Sequence, residues 1–289
     1  MRAARGDALR RAYDAGIRGL LLAGVDCADW YAQADLIAAQ TASAARSPSA
    51  HIDIACAYGL HPQEIDRHSD AELAQQLDAL SAALSGTAAT LPRPHAVGEL
   101  GLDARTPERR ASLPRQERVF RAQLALARQQ DLPIVLHILR THGDALRVLR
   151  TDGVPRCGGV VHSFSGSADL VRDYVALGLF VSFSGAITLP QAHHLHSAAR
   201  IVPSDRLLIE TDAPDQTPMS HRPSENEPAF LPAVCASVAT LRGIDPTLLA
   251  QITEENARRL FRVPAARPHD PRSAAIALAS DPTQPRRTS

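Results

Sequence analysis

Four residues of this 289-residue chain carry hard or borderline metal-ligand chemistry at the ends of short apolar runs. "HAVGELGLD", residues 95–103, reads as a strand that ends on a glycine and then presents Glu99. "PIVLH" delivers His137, "GGVVH" delivers His162 and "RLLIETD" delivers Asp212. Packing explains such a carboxylate poorly, because an unpaired charge beside a buried strand is costly. The intervals of 38, 25 and 50 residues fit one, one and two strand–helix units. Each residue alone has a plain explanation: an exposed glutamate, two core histidines bonded to carbonyls, and an aspartate capping the next helix. At the same end of successive strands, the four together predict a metal site.

The elements that must position them alternate along the chain. Residues 3–15 form a helix stopped by Gly16. A strand over 19–26 and an Ala-rich helix over 29–43 are followed by "IDIACAYGLHP", 52–62, a strand running into a Gly-containing turn. Ser69, with Glu72 three residues on, opens a helix to Leu84. After the Glu99 strand come a helix over 115–130, the His137 strand and a helix from Thr141. The His162 strand leads to a helix over 167–177 and to the strand "GLFVSFSG". A helix with Pro190 near its start precedes "RLLIETD", and helices over 228–241 and 246–260 end the folded part. This order predicts a parallel α/β fold with right-handed crossovers, a TIM-like (β/α) barrel over residues 1–264. Only seven strands are counted, where closure of such a barrel takes eight. The expectation is that the first strand is missing from the chain as given, leaving "GLLLAGVD" and the last strand with free edges. Residues 265–289, rich in Pro, Ala, Ser and Arg without a period, read as a disordered tail.

Composition narrows the chemistry. The chain is neutral overall, so bulk electrostatics give no argument for nucleic acid. All 31 basic residues are arginine. That excludes a Schiff-base lysine, a P-loop lysine and a carboxylated lysine bridging two metals. A bridge between two metals would fall to Glu99. Four widely spaced cysteines without CxxC, no secretory signal and no membrane-length apolar run give the expectation of a cytoplasmic protein with free thiols. No protein partner can be inferred. "HHLH", 193–196, reads as a solvated mid-helix face, and Asp103 reads as a helix cap, with ligand orientation as the alternative.

"GLHP", "GELGLD", "LPIVLH", "VVHSFSG", "LLIETDAP", "NEP" and "TEENARRLF" resemble, in order and spacing, the TatD family of metal-dependent hydrolases. The resemblance runs from about residue 6 to 262, and the "RTH" after Leu139 and the run "ETDAPD" look closest to its YjjV-like branch. It implies a divalent-metal-dependent hydrolase acting on phosphodiester bonds, of the deoxyribonuclease type, with DNA or another phosphodiester as substrate. Mg²⁺ is the foremost candidate, with Mn²⁺ or Zn²⁺ as alternatives. Carried over, the resemblance makes Glu99 a bridge between two ions, completed on one side by His137 and His162. Asp212 would ligate the other ion and take a proton from the attacking water. His61, Arg140 and Asn226 would meet the substrate.

Three departures qualify this. The family opens with a strand carrying His-x-His, and the chain begins within what would be the following loop. An upstream start is therefore expected, and the chain as given should bind metal weakly or as a single ion. Leu139 stands where arginine is usual, with Arg140 or His142 as replacements. Glu225 stands before "NEP" where arginine is usual, with Arg222 as a replacement. The alternatives are an impaired barrel serving as a binding or structural protein, and a hydrolase of a small ester or cyclic amide.

Overall fold

A computed structural model describes residues 2–46 and 52–263. The expected tail, 265–289, lies outside the described residues. Seven strands lie in one parallel sheet in chain order: β1 (Gly19–Ala23), β2 (Asp53–Tyr58), β3 (Ala96–Asp103), β4 (Ile134–Leu139), β5 (Gly159–Val161), β6 (Leu179–Phe183) and β7 (Leu207–Ile209). Helices α1 (Arg2–Asp14), α2 (Cys27–Arg46), α3 (Asp70–Ser85), α4 (Pro107–Ala111), α5 (Leu113–Gln130), α6 (His142–Asp152), α7 (Ala168–Ala176), α8 (His193–Ile201), α9 (Leu231–Arg242) and α10 (Pro246–Phe261) surround it. The sheet curls into a TIM-like half-barrel.

Local signals account for several boundaries. At α3 the Ser69 hydroxyl accepts from the Glu72 amide at 3.3 Å and the Glu72 carboxylate accepts from the Ser69 amide at 2.6 Å, the reciprocal cap expected from the sequence. Gly86 ends it in the left-handed region. Sequence reasoning passed over the short α4, which opens on Thr106 and Pro107. "HHLH" begins α8 rather than lying mid-helix, because residues 185–188 close a separate 3₁₀ turn first.

β1 and β7 are the two ends of the sheet, as a seven-strand count requires. Among the described residues no strand joins them. β1 is half-exposed along most of its length, whereas β6 is buried throughout. A cavity of about 1810 Å³ opens between the end strands, lined by Leu20–Leu22, Leu208, Ile209 and Phe261. It reaches up to Glu99, His137, His162 and Asp212. Across the opening, the Arg11 guanidinium of α1 donates from Nε to the Glu227 carboxylate at 2.9 Å.

β3 is the pivot of the sheet. Gly98 pairs with Val135 and Leu100 with Leu136, so Glu99 is the extra residue of a bulge within the strand. It does not lie past the strand's end, as the sequence suggested; the strand continues to Asp103. Gly101 has φ +145, and a Cβ there would sit 2.0 Å from the His137 carbonyl oxygen. Only glycine fits, and the close approach sets β4 against the bulge. Gly101→Ala is expected to cost roughly 2–4 kcal/mol through strain and forced strand separation. Chemical denaturation checks this; unchanged stability would contradict the tight β3–β4 packing.

Candidate metal centre

Buried hydrogen bonds from two helices fix the loops that carry the polar residues. On α5, Gln123 clamps Leu60, accepting from its amide at 2.7 Å and donating to its carbonyl at 3.0 Å. One helical face further up, Gln116 clamps Asp103 in the same way, at 2.8 and 3.0 Å. From α2, the buried Trp30 indole donates to the Gly59 carbonyl at 3.1 Å. His61 is thereby held at the head of β2 by contacts that no single motif announces.

Glu99 is the centre of the cluster. Its Oε2 lies 3.2 Å from His61 Nε2, 3.0 Å from His162 Nε2 and 3.7 Å from His137 Nδ1. His137 Nδ1 is 3.3 Å from His162 Nε2. On the far side, His162 Nδ1 stands 3.7 Å from Glu210 and 3.8 Å from Asp212. Asp212 Oδ2 accepts from Gln216 at 2.8 Å. Gln216 in turn accepts from the Ser184 hydroxyl at 2.8 Å and donates to Ser163 Oγ. The Ser163 amide donates to Glu210. Glu99, His137, His162, Asp212, His61 and Arg140 all face the one cavity.

The backbone around this cluster is strained. Among the described residues six non-glycine positions have positive φ, and Asp131 and Arg262 among them are helix C-caps. The other four, Arg140, Ser163, Asp212 and Gln216, all sit in the loops over the strand ends. Such strain persists where surrounding contacts over-determine the conformation, which is the habit of functional sites.

The charges divide along the same lines. Burial alone would push Glu99 up, but the His162 charge and hydrogen bonds from His137 and His162 hold it well below the usual carboxylate range. Burial alone would push His162 down, yet the Glu99 charge and the Glu210 hydrogen bond raise it well above its ordinary value. Asp212 is raised, first by burial and then by Glu210 and Glu99 against the opposing pull of His162. His61 is lowered, chiefly by burial.

The donor set fits a divalent cation: a carboxylate oxygen and imidazole nitrogens converge within 3.0–3.7 Å of one another. His61, Glu99 and His137 also fall within ligating distance of one another. Chemistry separates His61 from the others. Its Nδ1 accepts from the Gln63 amide at 3.1 Å, so the neutral ring carries its proton on Nε2 and donates towards Glu99. That nitrogen is a hydrogen-bond donor, suited to an anionic oxygen rather than to a metal.

Not every expected residue faces the cavity. Asn226 is turned into the loop after β7, its Nδ2 donating to the Thr211 and Asp215 carbonyls at 2.6 Å each, so it staples that loop instead of lining the cavity. Arg222 bonds the Thr217 carbonyl at 3.1 Å. Arg140 is exposed at the mouth beside Arg105. Asp103 does not cap α4; Thr106 does, because the Asp103 carboxylate is drawn inward to His137. Glu210 and Gln216 escaped the sequence reading. Glu210 stands two positions before Asp212 in the loop just past β7, and a second carboxylate so close to a predicted ligand was the available signal.

A parallel half-barrel with carboxylates and imidazoles gathered at the C-terminal ends of its strands defines a class of α/β-barrel proteins whose sites lie on that face. This chain belongs to the TatD related DNase family, whose sequence model matches residues 1–262. It is 40% identical over 173 residues to the uncharacterized metal-dependent hydrolase YcfH of Escherichia coli strain K12, an alignment covering 60% of this chain and 64% of that relative. It is 35% identical over 266 residues to the 3'-5' ssDNA/RNA exonuclease TatD of Rahnella sp. strain Y9602, covering 90% and 92% of the two chains. The crystal structure of YjjV, a TatD homologue from Escherichia coli K12, matches with a TM-score of 0.76 at 30% identity, over 91% of this chain and 93% of that one. Among the described residues no single helix is long and apolar enough to cross a membrane.

Metal binding should be pH-dependent with a definite sign. The upward shift of His162 favours its protonated form in the metal-free protein, and a cation taking Nε2 displaces that proton. Affinity for Mn²⁺ is expected to fall as pH drops below the raised His162 value and to level off above it. Titration calorimetry in two buffers of different ionisation enthalpy checks for the released proton; an affinity flat across the neutral range with no proton release would contradict the assignment.

Proposed function

We propose that the protein is a divalent-metal-dependent hydrolase of phosphodiester bonds, acting on single-stranded nucleic acid. The observation that carries this is Glu99 Oε2 lying 3.0–3.7 Å from three imidazole nitrogens, beside a half-buried Asp212 of raised pKa, at the end of an open cavity. The nucleic-acid substrate is carried over from the relative named as an ssDNA/RNA exonuclease.

Glu99 Oε2, His137 Nδ1 and His162 Nε2 would hold one cation. A cation so placed lowers the pKa of water and offsets charge developing on phosphate oxygens. Mg²⁺, Mn²⁺ and Zn²⁺ all suit a set of carboxylate and imidazole donors. Gln216 fixes Asp212 Oδ2, which leaves Oδ1 to take the proton from the attacking water. A carboxylate with a raised pKa is the better base for that step at neutral pH. His61 Nε2–H would donate to a non-bridging phosphate oxygen. Arg140 and Arg105, at the cavity mouth, offer positive charge to the rest of the strand. Glu225, exposed in the loop after β7, opposes it. A second ion would draw on Glu99 and Asp212. The described donors account for one ion per chain.

The test is hydrolysis of a fluorescent single-stranded DNA by the 289-residue chain with Mg²⁺ or Mn²⁺, read with and without a chelator. Asp212→Asn is expected to lower kcat by roughly 10²–10⁴-fold with KM little changed, as for loss of a general base. Glu99→Ala should abolish both turnover and ion binding. Wild-type turnover that survives the chelator, or an Asp212→Asn variant of full activity, would overturn the reading. Activity on a small ester with none on DNA would keep the chemistry and replace the substrate.

A further inference from the structure

Asp103 ends β3 with its side chain wholly buried and four nitrogens around its carboxylate. Oδ1 accepts from the Arg105 amide at 2.7 Å. Oδ2 meets Arg109 Nη1 at 2.9 Å, Gln63 Nε2 at 2.9 Å and His137 Nε2 at 3.3 Å. We propose that Asp103 is a positioning residue that fixes the tautomer of His137, holding its proton on Nε2 so that the Nδ1 lone pair faces the Glu99 recess. The inference deepens the cation-site reading and rests on it.

The argument follows from which atoms can donate. Arg109 Nη2 donates to Gln63 Oε1 at 3.1 Å, which orients the Gln63 amide and leaves its NH₂ group for Asp103. An arginine, a primary amide and a backbone N–H therefore all donate to this carboxylate, which can only accept. A neutral His137 ring beside it must place its proton on Nε2. Its Nδ1 then carries a lone pair, 3.3 Å from His162 Nε2 and 3.7 Å from Glu99 Oε2. The two carboxylates compete for the one ring proton. Glu99 alone would draw it to Nδ1 and close the ring to ligation. Asp103 is nearer, at 3.3 Å against 3.7 Å, and is itself held by Arg109 and Gln63. A turn-forming role would account for Oδ1 and the Arg105 amide but not for the cluster on Oδ2.

The experiment is ¹⁵N-histidine NMR of the metal-free protein, with His137 assigned through a His137→Gln variant and read in its neutral form, beside Mn²⁺ titrations of the wild type and Asp103→Asn. The wild-type ring is expected to carry its proton on Nε2. In Asp103→Asn the carboxylate becomes a neutral amide with one oxygen to serve Arg105, Arg109, Gln63 and His137 together, so its hold on the Nε2 proton is lost and the Glu99 carboxylate draws the proton to Nδ1. Mn²⁺ affinity should fall by roughly 10–100-fold, as for other partners that orient a metal ligand, with the circular dichroism spectrum unchanged. A wild-type ring protonated on Nδ1, or an Asn variant with wild-type tautomer and affinity, overturns the proposal. If the wild type binds no Mn²⁺, the cation-site reading fails, and the tautomer switch alone still supports or overturns the role given to Asp103. If Asp103→Asn does not fold, the wild-type tautomer decides.

Discussion

A carboxylate surrounded by imidazoles is the constraint on which this structure turns. Glu99 is largely withdrawn from solvent at the bulge of β3, where an ionised group without partners would be destabilising. His61, His137 and His162 converge on the same oxygen and offset that cost. Two of the three do so with rings whose proton affinity has been raised. A site that holds protons by this arrangement exchanges them readily for a divalent cation, because the cation supplies the same positive charge at the same place. His61 stands apart, since the Gln63 amide commits its other nitrogen and leaves it a donor.

The scaffold serves this cluster at several removes. The bulge turns Glu99 inward while the rest of β3 continues its pairing with β4. Gly101 lets β4 approach closely enough to bring His137 alongside. The two glutamines of α5 hold the backbone of the His61 loop and of the Asp103 end. Strained residues over β4, β5 and β7 aim Arg140, Ser163 and Asp212. The opening between β1 and β7 leaves one wall of the cavity without a strand among the described residues, and the site is correspondingly accessible from that side.

Much of this was legible in the sequence, for definite reasons. Strand–helix alternation, the capping box at Ser69 and the ligand types at strand ends are local patterns, and the seven strands, the start of α3 and the convergence of Glu99, His137, His162 and Asp212 follow from them. What escaped depends on long-range contacts. The bulge at Glu99 cannot be told from a strand end without knowing the register with β4. Gln116 and Gln123 look like ordinary residues of an amphipathic helix until their partners 13 and 63 residues away are in place. Asp103 read as a helix cap because its nearest sequence neighbours suggest one; its actual partners are Gln63, Arg109 and His137. Asn226 lies in the run "NEP", read as meeting the substrate, yet its side chain staples the loop beside the cavity.

The central claim is that Glu99, His137 and His162 form one cation site. Anomalous diffraction from crystals soaked in Mn²⁺ tests it most directly. The account predicts a single strong peak bound by Glu99, by Nδ1 of His137 and by Nε2 of His162, with His61 outside the coordination sphere. A peak ligated by His61 instead, or crystals that bind Mn²⁺ elsewhere and leave this cluster untouched, would contradict it.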